Sequence, residues 1–108
     1  LKNIDTAMNS IKLLVESFIS SGDICVISKS YCPYCIKAIN SLKSAGYSPL
    51  VMQIDGRVDT KEIQDYCREL TGSGTVPRVF VKGRFIGGCD DTLKLLEDGS
   101  LSSFVETI

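Results

Sequence analysis

The stretch Lys29-Ser30-Tyr31-Cys32-Pro33-Tyr34-Cys35 constrains this chain more than any other. Its two cysteines are separated by two residues. They follow the apolar run Ile24-Cys25-Val26-Ile27 and precede a helix-like stretch from Ile36 to Ala45. A C-x-x-C at a strand-to-helix junction reads as a redox dithiol. With Pro33 at the first helical position, Cys32 becomes the N-cap and Cys35 lies one turn inside, close enough to bridge. The unpaired N–H groups and the positive end of the helix dipole then favour a thiolate at Cys32. Cys35 gains less of that field and is expected to be the more buried. Cys32 is the expected nucleophile and Cys35 the resolving thiol.

Other chemistries fit the motif less well. A structural zinc site takes four ligands, as two C-x-x-C pairs or with histidines; this chain has no His, and Cys25, Cys67 and Cys89 stand singly. A Cys–His hydrolase lacks its imidazole base. A purely structural disulfide would close a very small loop for little entropy, and five cysteines leave one unpaired in any scheme.

At 108 residues the chain is expected to form one domain with a single core. Hydrophobic residues at 44% and charged residues at 23% are ordinary globular values, and a formal charge of −1 offers no global attraction to nucleic acid or an anionic membrane. No run approaches transmembrane length and no signal-peptide pattern opens the chain. It begins with Leu1 rather than Met, which leaves room for an upstream targeting segment. The cysteine usage suits a reducing, cytoplasmic setting.

Periodicity supplies the elements. Met8, Ile11, Leu14, Val15, Phe18 and Ile19 recur at helical spacing, so residues 6–20 are expected to be an amphipathic helix closed at Gly22. The strand 24–28 that follows is apolar throughout, as for a central strand buried on both faces, with Cys25 as a small core residue. The helix after the motif places Cys35, Ile39 and Leu42 on one face and ends near Gly46. Pro49 introduces a strand over 50–54, which makes a right-handed parallel crossover with the first. Asp59-Thr60-Lys61-Glu62 reads as a capping box before a helix whose core face is Ile63, Tyr66, Cys67 and Leu70. Arg78-Val79-Phe80-Val81 and Arg84-Phe85-Ile86-Gly87 flank Lys82-Gly83, the pattern of a hairpin. From Asp90 the period is helical again, with Leu93 and Leu96 inward and a stop at Gly99. Ser100 then caps a last helix with Leu101, Phe104, Val105 and Ile108 on one face.

Three separated motifs in this order carry a family resemblance. Cys-Pro-Tyr-Cys at 32–35 preceded by Lys29, Thr75-Val76-Pro77, and Gly87-Gly88-Cys89-Asp90-Asp91 closely resemble the dithiol glutaredoxins over nearly the whole chain. Thioredoxin itself fits less well, since its motif normally has Trp before the first Cys and Gly-Pro between the two, and this chain has no Trp. The resemblance implies that residues 1–108 are a single glutaredoxin domain. It implies an α/β, thioredoxin-like fold, with a four-stranded mixed sheet flanked by helices on both faces in the order α-β-α-β-α-β-β-α-α.

It also implies a glutathione groove. In the family the Pro of Thr75-Val76-Pro77 is cis, and Val76 offers its N–H and C=O to the cysteinyl part of glutathione, next to Pro77. The turn at 87–91 holds the γ-glutamyl end, with backbone donation from Cys89 and Asp90, as helix N-termini do for anions, and Asp91 as partner of the amine. Asp90 or Asp91 acting only as a helix cap would account for either residue alone. Lys29 and Gln64 match the positions that hold the glycyl carboxylate, and Lys29 also favours the Cys32 thiolate. Tyr34 is expected to line the groove with its ring, Arg78 to add local positive potential, and Cys89 to be a passive thiol beside it.

The activity so implied is glutathione-dependent reduction of protein–glutathione mixed disulfides and protein disulfides. The redox poise is about −200 to −230 mV, with glutathione as cosubstrate and no tightly bound cofactor or metal. The partners are glutathione and glutathionylated or disulfide-containing proteins, the form a monomer, with no nucleic acid and no membrane. A rival of another class is an iron–sulfur carrier, two chains sharing a [2Fe–2S] cluster through Cys32 and glutathione. Pro33 stands where Ser or Gly is common in such carriers, and its stiffness disfavours cluster assembly. A redox-sensitive binding module without turnover is a third reading.

Overall fold

The computed structural model describes residues 2–106, with side chains from Met8 to Glu106, so Ile108 lies outside the described residues. Nine elements follow one another: α1 (Lys2–Ile19), β1 (Ile24–Ser28), α2 (Pro33–Ser44), β2 (Leu50–Gln53), α3 (Thr60–Thr71), β3 (Arg78–Val81), β4 (Arg84–Gly87), α4 (Cys89–Glu97) and α5 (Leu101–Glu106). The four strands form one sheet in the order β2-β1-β3-β4. β1 runs parallel to β2, with Val26 opposite Val51, and antiparallel to β3, where Cys25 faces Phe80. This is the mixed, thioredoxin-like sheet that the family resemblance implied.

Strand alternation sorts the core into two layers. Cys25 and Ile27 of β1 and Phe80 of β3 meet Val15 and Ile19 of α1 and Ile63 and Cys67 of α3. On the opposite face Ile24, Val26, Val79 and Val81 meet Ile39 and Leu42 of α2 and Leu101 of α5. All five residues of β1 are buried, because β1 has a strand on each side and a helical layer on each face. β2 at the edge is only partly covered. The hairpin joining β3 to β4 turns on Lys82 and Gly83, both at positive φ (53° and 79°), the geometry that matches the twist of antiparallel strands.

Several expectations are corrected. α1 begins at Lys2, about a turn earlier than the hydrophobic period indicates, and Met8 stands exposed rather than in the core. The Asp59 carboxylate makes no side-chain cap for α3: it pairs with Arg57 Nε at 2.7 Å, and the Thr60 hydroxyl instead bonds back to the carbonyls of Ile54 and Arg57. A local ion pair outcompetes the cap because Arg57 lies only two residues away. Leu70 is exposed, since the buried stripe of α3 holds only Ile63 and Cys67, with Tyr66 half-covered and donating its hydroxyl to Glu16 of α1. α4 starts at Cys89, and its fully buried residue in the second turn is Thr92, whose hydroxyl returns to the Gly88 carbonyl at 2.8 Å.

Candidate active site

The C-terminal ends of β1 and β2 and the N-terminal end of α2 come together at one edge of the sheet. β1 delivers Lys29 and Ser30 into a short loop, and Cys32 caps α2 with Pro33 at its first position. The Cys32 sulfur accepts from Cys35 N–H at 3.4 Å, so the reacting atom occupies the place of a capping oxygen. It also lies 3.9 Å from the Val76 carbonyl oxygen. Cys32 is partly exposed, whereas Cys35 one turn on is wholly buried.

This difference separates the two thiols electrically. Partial burial opposes ionisation of Cys32, but hydrogen bonds from the Cys35 thiol and from the backbone N–H groups of Cys35 and Tyr34, helped by the Lys29 charge, outweigh it and hold its pKa down. Cys35 is pushed up, first by desolvation and further by its neighbour Cys32. One thiol is set to be a nucleophile while the other keeps its proton. Burial also pushes up the thiols of Cys25, Cys67 and Cys89.

Two pockets flank Cys32 and meet at Thr75 and Val76. One, of about 340 Å³, is lined by Lys29, Cys32, Gln64, Thr75 and Val76. The other, of about 560 Å³, runs from Tyr34 past Val76 and Pro77 to Gly88, Cys89, Asp90 and Asp91. The Val76–Pro77 peptide is cis, and the Val76 N–H has no hydrogen-bond partner among the described residues. Lys29, Cys32, Gln64 and Val76 thus line one pocket, and Tyr34, Val76, Pro77, Cys89, Asp90 and Asp91 the other, while Cys35 lies buried behind Cys32. The side-chain charge is positive at one end (Lys29) and negative at the other (Asp90, Asp91).

At the acidic end, the first N–H groups of α4 have no partners within the helix. Asp91 reaches back with Oδ2 to Gly88 N–H at 3.3 Å, so it does serve as a cap. Gly87 makes that return possible. Its φ is +122°, and a Cβ there would sit 2.2 Å from Asp91 Oδ2. Cys89 contributes backbone to the groove but its thiol is buried.

Two residues behave otherwise than expected. Arg78 is fully buried beneath the groove rather than adding surface potential, and it bonds Gln64. Asp55, which sequence reasoning passed over, accepts from the Ser30 N–H at 2.8 Å and from its hydroxyl, pinning the loop before Cys32. The available signal was positional: Asp55 follows β2, the parallel neighbour of β1, so both chains leave the sheet at the same edge.

Known proteins share this chain's sequence and fold. The glutaredoxin family model matches residues 24–86, more than half of the chain. Glutaredoxin-1 of Rhizophagus irregularis is 41% identical over 101 residues, which span 94% of this chain and all of that protein. The fold superimposes on oxidised glutaredoxin 2 of Chlamydomonas reinhardtii with a TM-score of 0.82 at 36% identity, covering 92% of this chain and 94% of that one. It also superimposes on the buckwheat glutaredoxin–glutathione complex with a TM-score of 0.87 at 29% identity, covering 93% and 91%. An N-cap cysteine whose pKa is held below the ordinary thiol value beside a cis-proline groove, in a chain so matched along nearly its full length, places this protein in the glutaredoxin family of glutathione-dependent thiol oxidoreductases.

Proposed function

We propose that this chain reduces protein–glutathione mixed disulfides through Cys32, and protein disulfides through the Cys32–Cys35 pair. The observation that carries this reading is the position of the Cys32 sulfur. It accepts from Cys35 N–H at 3.4 Å and lies 3.9 Å from the carbonyl oxygen of Val76, a residue that lines both pockets.

Glutathione lies along the groove as an added strand segment. Its cysteinyl amide pairs with the backbone of Val76 beside Pro77, and the Tyr34 ring borders it. The Lys29 ammonium and the Gln64 amide take the glycyl carboxylate. At the other end the N–H groups of Cys89 and Asp90 take the γ-glutamyl carboxylate, and Asp91 takes the ammonium. The zwitterionic end of the ligand then meets donors and a carboxylate together, in the order its own charges require.

In the first step the Cys32 thiolate attacks the glutathione sulfur of the mixed disulfide. A Cys32–glutathione bond forms, and the partner protein leaves as a thiolate that takes a proton from water. A second glutathione thiolate then attacks the bound glutathione sulfur. This gives oxidised glutathione and returns the Cys32 thiolate, a good leaving group because its pKa is held down. With a protein disulfide, Cys32 attacks first. Cys35 then loses its proton and displaces the partner's sulfur from Cys32, leaving a Cys32–Cys35 disulfide that two glutathiones reduce.

The test is glutathione-dependent reduction of a glutathionylated peptide, coupled to glutathione reductase, for the parent, Cys32→Ser and Cys35→Ser. The expected result is no turnover for Cys32→Ser and retained turnover for Cys35→Ser. A parent without turnover overturns the reading. A brown colour on anaerobic purification that Cys32→Ser abolishes would then point to cluster binding.

A further inference from the structure

β3 opens with a residue that its position does not call for. Arg78 shares a sheet face with Phe80, the face packed against α1 and α3, where alternation asks for an apolar side chain. It is fully buried and makes no ion pair among the described residues. A guanidinium stays charged in proteins, so its burial destabilises the fold unless its donors are met. Each of its three nitrogens finds an acceptor. Nε and Nη2 both donate to the Ser73 carbonyl, at 3.1 and 2.6 Å, and Nη1 donates to Gln64 Oε1 at 2.7 Å.

We propose that Arg78 is a positioning residue whose buried guanidinium locks the Gln64 amide with its NH2 group toward the groove, so that the Lys29 end selects a ligand carboxylate. The inference rests on the groove reading given above. Arginine has donors only, so Gln64 must turn its oxygen to Arg78, and the amide nitrogen points to the other side of the same planar group. No described group accepts from that nitrogen, and no buried side-chain nitrogen or oxygen lacks a partner among the described residues, so it reaches the open pocket it shares with Lys29 and Cys32. Without Arg78 the amide is free to flip. It would then show an acceptor oxygen, which repels a carboxylate. The same guanidinium ties the Ser73 carbonyl, and with it the loop leading to Thr75 and Val76, to the start of β3.

The experiment compares two substrates: a peptide disulfide with glutathione, and the same peptide disulfide with glutathione esterified at the glycyl carboxylate. The readout is the ratio of kcat/KM for acid over ester, measured for the parent, Arg78→Met, Arg78→Lys and Gln64→Glu, each checked for folding by circular dichroism. The parent is expected to prefer the acid by about tenfold, the size of one lost charge-assisted hydrogen bond. Arg78→Met is expected to bring the ratio within about threefold of unity, the acid losing more than the ester. Arg78→Lys keeps the charge but not the planar fork, and its ratio is expected to fall as well. If Arg78→Met does not fold, Arg78→Lys and Gln64→Glu decide. Gln64→Glu can satisfy Arg78 while offering the groove no donor, and is expected to lose the acid preference. A parent-like ratio in Arg78→Lys, or equal losses on both substrates, overturns the positioning role. A parent that turns over both substrates without preference removes the carboxylate subsite and this inference with it, leaving the activity standing. A parent inactive on both overturns the activity itself.

Discussion

Cys32 and Cys35 have identical side chains, and their surroundings move them in opposite directions. For Cys32 the opposing influence is desolvation, and the strongest favourable one is the hydrogen bond from the Cys35 thiol, ahead of the backbone N–H groups and of Lys29. That order is physically sensible. A donor in contact with the sulfur acts through a short, partly shielded path, while an ammonium at the protein surface is screened by water and salt. The resolving thiol therefore also tunes the nucleophile. Cys35→Ala is expected to raise the apparent pKa of Cys32 more than Lys29→Gln does, and Cys35→Ser, which keeps an O–H donor, to raise it less than Cys35→Ala. The rate of Cys32 alkylation by iodoacetamide as a function of pH checks this. A larger rise in Lys29→Gln than in Cys35→Ala would mean that long-range charge governs the thiolate.

At the scale of the element, the N-terminus of α4 asks one carboxylate to do two things. Asp91 closes its own helix through Gly88 N–H, and in the proposed function it faces the ligand ammonium. The two roles separate by substitution. Asp91→Asn keeps an oxygen that accepts from Gly88 N–H but removes the charge. It is expected to leave stability within about 0.5 kcal/mol of the parent and to lower kcat/KM for a glutathionylated peptide by about tenfold. Asp91→Ala removes both, and is expected to lose about 1 kcal/mol of stability besides. Urea midpoints set against coupled-assay kinetics give the comparison. If Asp91→Asn keeps full activity, the residue is a cap and nothing more. The cap at α2 needs no such division, because there the capping atom is itself the reacting sulfur.

Over the whole molecule, the sequence made legible what depends on period and on local motif. The uniform apolar run of β1 reported burial on both faces, and Cys32-Pro33 announced the helix that caps itself with sulfur. It did not disclose what depends on partners far along the chain. Arg78 in a short amphipathic strand reads as a surface cation until Gln64 and the Ser73 carbonyl are seen closing over it. Asp59 reads as a cap until Arg57 competes for it. The thiols divide between the two. The apolar run around Cys25, the core stripe through Cys67 and the place of Cys35 inside α2 already pointed to burial, whereas the covering of the Cys89 thiol depends on the fold; burial pushes all four above the ordinary value of 9.0. Where folded pKa values exceed unfolded ones, the native state holds more protons, so stability is complete below the unfolded value and declines as pH rises through the folded ones. Cys32 works in the other sense, its contribution growing as pH rises toward 9.0, but it is one thiol against four. Under excess reductant the urea midpoint is therefore expected to hold up to about pH 8 and to fall above about pH 9, each buried thiol supplying at most about 1.4 kcal/mol per pH unit. Cys67, wholly buried and away from the reacting pair, isolates the effect: Cys67→Ala is expected to decline less steeply than the parent over the same range. Parallel slopes for the two proteins would assign the alkaline loss to groups other than the core thiols.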